Sequence, residues 1–174
     1  MVGDTLNIFE KLEEEAFDND ILVNEIEFDS EARGLYKNNK IALNKKKLKT
    51  TAEKSCTMAE ELGHYYTSSG YILDLDKIES SKQEYRARLY AYDKLIGLRG
   101  LVNAIQAKCH NIYEIAEYLE VTPEFLNDAL ECYKSKYGLY AEVDNYAIIF
   151  FEGDKGNESN EGYGYKVHEK IEVF

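Results

Sequence analysis

The sequence lacks the features that mark several classes of protein. It has no Trp and one Pro, and no apolar run approaches the roughly 20 residues that a membrane helix requires. Residues 1–4 show neither the basic nor the apolar segment of a secretory signal peptide. The three Cys are odd in number, widely spaced and without a C-x-x-C pair, which suits a reducing cytosol better than a disulfide framework or a zinc knuckle. We therefore expect a cytoplasmic protein without a membrane segment.

Basic charge is also scarce. The chain has 33 acidic and 21 basic side chains, a formal net charge of −12, whereas nucleic-acid binders neutralise phosphates with clustered Lys and Arg. The one basic patch, over residues 45–49, is short and has no interleaved aromatic side chains. We expect no direct contact with nucleic acid. An acidic surface would attract a basic protein partner, although a surface that is merely solvated would have the same composition.

Hydrophobic periodicity predicts a mixture of helices and short strands. The turn Asn38-Asn39 separates two short apolar runs, and Asn tolerates the positive φ that a tight hairpin requires. Thr122 followed by Pro123 predicts the start of a late helix, which Gly138 ends. Helices are predicted over residues 4–16, 51–66, 78–96, 101–107, 111–119 and 123–137, strands over 21–28, 35–36, 40–43, 146–151 and 167–174, and loops over 71–76 and 153–164.

These elements predict an α+β fold, in which a small antiparallel sheet accompanies a mainly helical core and a C-terminal β-hairpin follows. We expect one domain over residues 1–140 and a strand–loop–strand extension over 141–174. The helices over 111–137 have the spacing of a helix-turn-helix unit. The second of them carries several acidic side chains near its start, which would repel DNA phosphates. We interpret this pair as structural or as a partner surface.

The helix over 51–66 carries the residues best suited to chemistry. Glu60 and His64 are four residues apart and so share one face, while Glu61 lies on the neighbouring face. This is the spacing of H-E-x-x-H, in which two His bind a metal and the Glu acts as a base, with Glu in place of the first His. Cys56 lies one turn earlier on the same face. Burial in the core is the commoner role for such a Cys, and a substitute ligand is the alternative.

Twenty residues after His64, Glu84 lies beside an apolar helical stripe. By itself it would be interpreted as a surface side chain paired with Arg88 at i+4. A broader pattern favours another role. The segments 34–43, 59–65 (A-E-E-L-G-H-Y) and 84–91 (E-Y-R-A-R-L-Y-A) resemble the ImmA/IrrE family of metallopeptidase-like proteins, over about residues 5–140.

The resemblance implies both a fold and a site. Its core is zincin-like, with a small sheet against the active-site helix whose edge can accept a peptide strand. Members occur on phages and mobile elements, usually beside a repressor, and the characterised activity is zinc-dependent cleavage of a helix-turn-helix repressor. Carried over by position, the metal ligands are Glu60, His64 and Glu84, and the base is Glu61.

The carboxylate of Glu60 in place of an imidazole leaves several outcomes open. A Glu-His-Glu set would make the metal a weaker Lewis acid and shift preference from Zn²⁺ toward Mn²⁺ or another divalent ion, and no metal at all is a further alternative. Three alternative functions follow. The first is a metal-dependent endopeptidase that acts on a helix-turn-helix repressor. The second is a catalytically impaired pseudo-peptidase that binds a regulator as anti-repressor or scaffold. The third is a structural phage protein in which these carboxylates are only ion-paired.

Overall fold

The computed structural model describes residues 6–67, 77–152 and 163–170. The chain is of the α+β class, as predicted. It divides into two compact units, residues 1–94 and 95–174. The elements in chain order are α1 Ile8–Asp18, β1 Leu22–Ile26, β2 Gly34–Lys37, β3 Lys40–Asn44, α2 Thr51–Thr67, α3 Lys77–Leu95, α4 Gly97–Gln106, α5 Ile112–Tyr118, α6 Pro123–Tyr137, β4 Tyr140–Val143, β5 Tyr146–Glu152 and β6 Tyr163–Glu169.

Some predicted segments fall outside this description. The loop predicted over 71–76, nearly all of that over 153–164, and the last four residues of the strand predicted over 167–174 lie among the residues that are not described. Among those that are, no helix combines the length and apolar character needed to cross a membrane.

The sheet of the first unit has the order β1-β3-β2. Strands β2 and β3 form the predicted antiparallel hairpin, and the turn residues Asn38 and Asn39 have φ values of 50° and 55°. Strand β1 pairs with β3 in parallel. The sheet is therefore mixed, whereas an antiparallel sheet was predicted. The chain forms β2 at the far edge before it returns as β3 between the other two strands, which makes β1 and β3 run in the same direction.

Helix α2 is the centre of the first unit. It packs against α1 and against strands β2 and β3, and apolar side chains from α1, β3 and α2 are buried there: Leu12, Ala16, Ile41, Leu43, Met58 and Leu62. Its start is fixed by a reciprocal cap, since Thr50 Oγ1 accepts from the Glu53 N–H and the Glu53 carboxylate accepts from the Thr50 N–H. Thr50 is therefore the cap residue of α2.

Helix α3 approaches α2 very closely at Gly63. A Cβ placed on this glycine would overlap the carbonyl oxygen of Ala87, which belongs to the backbone of α3. Only glycine has no side chain to obstruct that approach. Because His64 follows Gly63 and Glu84 lies one turn before Ala87, this contact sets the distance between the two helices at the predicted site.

The second unit combines α4, α5 and α6 with an antiparallel sheet of order β4-β5-β6. Helix α6 begins at Pro123 with Thr122 as its cap, as predicted. The predicted C-terminal hairpin is β5–β6, and the added strand β4 had not been predicted. The sheet packs against α6, where Tyr133 and Phe150 are fully buried. The domain boundary near residue 140 stays a prediction.

Candidate functional site

Glu61 is the most enclosed of the four predicted site residues, with 8% of its surface exposed. It lies beneath strand β2, and a Cβ on Gly34 would come within 2.6 Å of the Glu61 Oε1 atom. The backbone N–H of Tyr36 lies near enough to the same carboxylate to favour its charged form. The backbone of β2 therefore holds the Glu61 side chain in place, and the absence of a side chain at Gly34 provides the space for it.

Burial is the main cause of a large change in the acidity of Glu61. Together with the nearby charges of Glu60 and, more weakly, Glu84, it raises the pKa of Glu61 to about 7, against the opposing effect of the Tyr36 N–H. Near neutral pH this carboxyl therefore exists in both its protonated and its charged form. A group with such a pKa can exchange protons at physiological pH, which is the property that a general base needs.

Glu84 on α3 lies against His64 on α2. Its Oε2 atom is 3.5 Å from His64 Nε2, while its Oε1 atom accepts a hydrogen bond of 2.9 Å from Arg88 Nε. The pairing with Arg88 that the sequence suggests is present, whereas the role of Glu84 as a metal ligand stays a prediction. The residue pairs with Arg88 at i+4 and also points toward the histidine of α2.

Arg88 interacts electrostatically with more than one acidic side chain. Burial lowers the pKa of its guanidinium, but the charges of Glu84 and Glu60 outweigh that effect and raise the pKa above its ordinary value. Arg88 thus pairs directly with Glu84, and the charge of Glu60 on α2 also stabilises its guanidinium. The sequence shows only the i+4 relation to Glu84, because the proximity of Arg88 to Glu60 depends on how α2 and α3 pack.

The structure brings the four predicted residues into one neighbourhood but does not form a three-ligand site. Among the residues it describes, which include Glu60, Glu61, His64 and Glu84, no three His, Cys, Asp or Glu side chains converge closely enough to hold a metal ion. The side chains as arranged do not fit a bound divalent cation, and we assign no reaction step to one. The ligand roles and the base role of Glu61 stay predictions, as does the identity of the metal. Cys56 is buried, as expected for a packing residue.

A polar cluster that the sequence did not indicate connects α1, α2 and α3. The Glu15 carboxylate accepts hydrogen bonds of 3.1 Å from the Tyr66 and Tyr90 hydroxyls and forms an ion pair of 2.6 Å with Lys94. Burial and this carboxylate raise the pKa of Tyr90, so both tyrosines stay protonated as donors. No spacing along the chain predicts the cluster, since its members come from three separate helices.

Replacing Glu15 by alanine is expected to lower the free energy of unfolding by about 1–2 kcal/mol, because two hydroxyls and an ammonium lose their common acceptor. Urea unfolding measures this. Glu14→Ala is the matched control, since Glu14 is exposed on the same helix. Equal stability of the two variants would show that the cluster does not support the packing of α2 and α3.

The comparison with protein families gives one result. The model of the IrrE N-terminal-like domain, Peptidase M78, matches residues 16–131, which is well over half of the chain and includes every predicted site residue. No curated protein and no solved structure gives a significant match. Because this match covers most of the chain and agrees with the resemblance of the sequence motifs, the chain belongs to the IrrE N-terminal-like family of metallopeptidase-like proteins.

Proposed function

We propose that this protein captures an extended segment of a regulatory protein, a helix-turn-helix transcriptional repressor, along strand β2, and that it acts by binding and not by rapid cleavage. It would serve a phage or mobile element in the cytoplasm as an anti-repressor or scaffold. The observation that carries this proposal is the outer edge of β2 beside Glu61.

The hydrogen-bond pattern of the hairpin defines that edge. The Asn44 N–H donates to the Arg33 carbonyl, and antiparallel pairs alternate between bonded and non-bonded. In the register of the hairpin, the next bonded pair is Leu35 with Ala42. The N–H and C=O groups of Gly34 and Tyr36 therefore point away from β3, and β2 is an edge strand. An added peptide strand would use these groups.

A peptide bound there would lie next to the predicted site, because Gly34 of β2 lies directly over the Glu61 carboxylate and the outward N–H of Tyr36 is close to it. The edge also has aromatic neighbours. The ring of Tyr36 contacts that of Tyr65 at a centroid distance of 5.9 Å, and Tyr65 contacts Tyr66 at 4.9 Å. Tyr side chains are enriched where proteins bind one another. With a net charge of −12, the chain suits a basic, DNA-binding partner.

Metal-dependent cleavage of the repressor is the second candidate. It is supported by the contact between His64 and Glu84 and by a Glu61 carboxyl with a pKa of about 7. The arrangement of ligands favours the first candidate, since no three of the described side chains converge on a metal position. Glu61→Gln distinguishes the two: if turnover of the repressor is lost while binding is unchanged, the protein is a peptidase.

The role of the β2 edge is tested with a pair of substitutions at Tyr36. Tyr36→Pro removes the outward N–H, whereas Tyr36→Ala keeps it and removes only the ring. We expect Tyr36→Pro to weaken repressor binding at least tenfold, and Tyr36→Ala to weaken it less. Affinities are measured by calorimetry with a helix-turn-helix transcriptional repressor, after circular dichroism has shown that both variants are folded. Equal affinities for Tyr36→Pro and the wild type would exclude docking at this edge.

A further inference from the structure

We propose that the Arg88 guanidinium acts as a built-in cation of the site, which neutralises the carboxylates of α2 and α3 and opposes the binding of a divalent metal ion. This inference rests on the proposed function, since it explains how a member of a metallopeptidase-like family would keep its site ordered while acting as a binding protein. It is carried by the positions of Glu84, His64 and Arg88.

The two oxygen atoms of Glu84 already have different partners. Oε1 accepts from Arg88 Nε at 2.9 Å, and Oε2 lies 3.5 Å from His64 Nε2. A carboxylate whose Oε1 is bound to the guanidinium cannot turn both of its oxygens to a metal ion without losing that bond. The charge-assisted bond to Arg88 therefore fixes the orientation of Glu84 in the absence of a metal.

The charge balance gives the same conclusion. Glu60 and Glu84 both interact with Arg88, so the cation offsets part of the negative charge that would otherwise attract a divalent ion. A metal bound between His64 and Glu84 would also lie close to the guanidinium, and two cations at such a distance repel each other. Removal of Arg88 leaves the carboxylates uncompensated and frees Glu84 Oε1.

A surface ion pair without influence on the site is the competing explanation. Arg88 and Glu84 are four residues apart, and their side chains are 52% and 47% exposed. Pairs of this kind contribute little to stability, so a stability measurement alone would not separate the two explanations. Metal affinity does separate them, because an ion pair confined to the helix surface would not change how tightly a metal ion binds at His64.

The test uses the full chain, stripped of metal with EDTA, and titrates it with Zn²⁺ and with Mn²⁺ in a calorimeter. The variants are Arg88→Gln, which removes the charge, and Arg88→Lys, which keeps it. Arg86→Gln is the matched control, since Arg86 is exposed on the same helix. We expect Arg88→Gln to bind at least one of the two metals at least tenfold more tightly than the wild type, and Arg88→Lys and Arg86→Gln to stay within about threefold of it. Adding His64→Ala to Arg88→Gln should abolish the gain.

Two outcomes would overturn the inference. If Arg88→Gln and Arg86→Gln have the same metal affinity, Arg88 is only a surface partner of Glu84. If the wild type binds metal tightly and Arg88→Gln binds it more weakly, Arg88 orients Glu84 for a metal and does not replace one. Repressor binding is measured separately on the metal-free wild type. Its absence would refute the proposed function and leave the result on Arg88 intact.

Discussion

Replacement of Gly63 by alanine is expected to lower the free energy of unfolding by about 2–3 kcal/mol, the upper part of the range of about 1–3 kcal/mol found when well-packed interiors are overfilled. The added methyl group would overlap the Ala87 carbonyl oxygen, which belongs to the helix backbone and cannot rotate away. Helices α2 and α3 would have to separate. Alanine's better helix propensity, about 1 kcal/mol, offsets only part of that cost.

Gly100→Ala is the matched control for Gly63→Ala. Gly100 is also in a helix, but a Cβ there would meet only the Leu119 Cδ2 atom at 3.2 Å, the end of a flexible side chain. We expect this variant to be as stable as the wild type or slightly more so. Urea unfolding of both variants and of the wild type measures the three free energies of unfolding. A Gly63→Ala variant as stable as Gly100→Ala would contradict the close packing of α2 on α3, and with it the position of His64 relative to Glu84.

Glu61→Gln is expected to stabilise the metal-free protein at pH 8 by about 3 kcal/mol, and to have little effect below pH 4.5. Burial raises the pKa of Glu61 from 4.5 to about 7, so the native state binds the proton more tightly than the unfolded chain does. The stability of the wild type therefore falls as the pH rises from about 4.5 to about 7. Glutamine stays neutral throughout and still offers an oxygen to the Tyr36 N–H. The magnitude follows from about 1.4 kcal/mol for each pH unit between the two values.

The measurement is urea unfolding at pH 5 and pH 8 in the presence of EDTA. Glu14→Gln is the control, because Glu14 is exposed and its replacement should not change how stability varies with pH. If Glu61→Gln is less stable than the wild type at pH 8, the carboxylate form is favoured by the fold, and Glu61 is not held in the enclosed position beneath β2.

Local signals in the sequence predicted the local structure well. Asn38 and Asn39 adopt the positive φ that their hairpin requires, Thr122 caps α6, and α2 spans nearly the predicted residues. Each of these depends on residues a few positions apart. The i, i+4 spacing of Glu60 and His64 is a local signal of the same kind, and both residues lie on α2 as it predicts.

The remaining features depend on contacts between distant segments. Strand periodicity does not specify a partner, which is why the parallel pairing of β1 with β3 and the added strand β4 were not predicted. At the site, the family resemblance indicated Glu84, but the proximity of Arg88 to Glu60 arises from the packing of α3 on α2. The cluster around Glu15 has the same origin, because three helices contribute to it.

The most direct test of the proposed function combines binding with intact mass spectrometry of the bound protein. The metal-free chain is mixed with a helix-turn-helix transcriptional repressor, and the complex is then supplied with Zn²⁺ or Mn²⁺. We predict that the complex forms in EDTA and that the repressor is recovered uncut after metal is added. A repressor that is cleaved only in the presence of metal, with cleavage abolished by Glu61→Gln, would contradict the account and identify the protein as a working metallopeptidase.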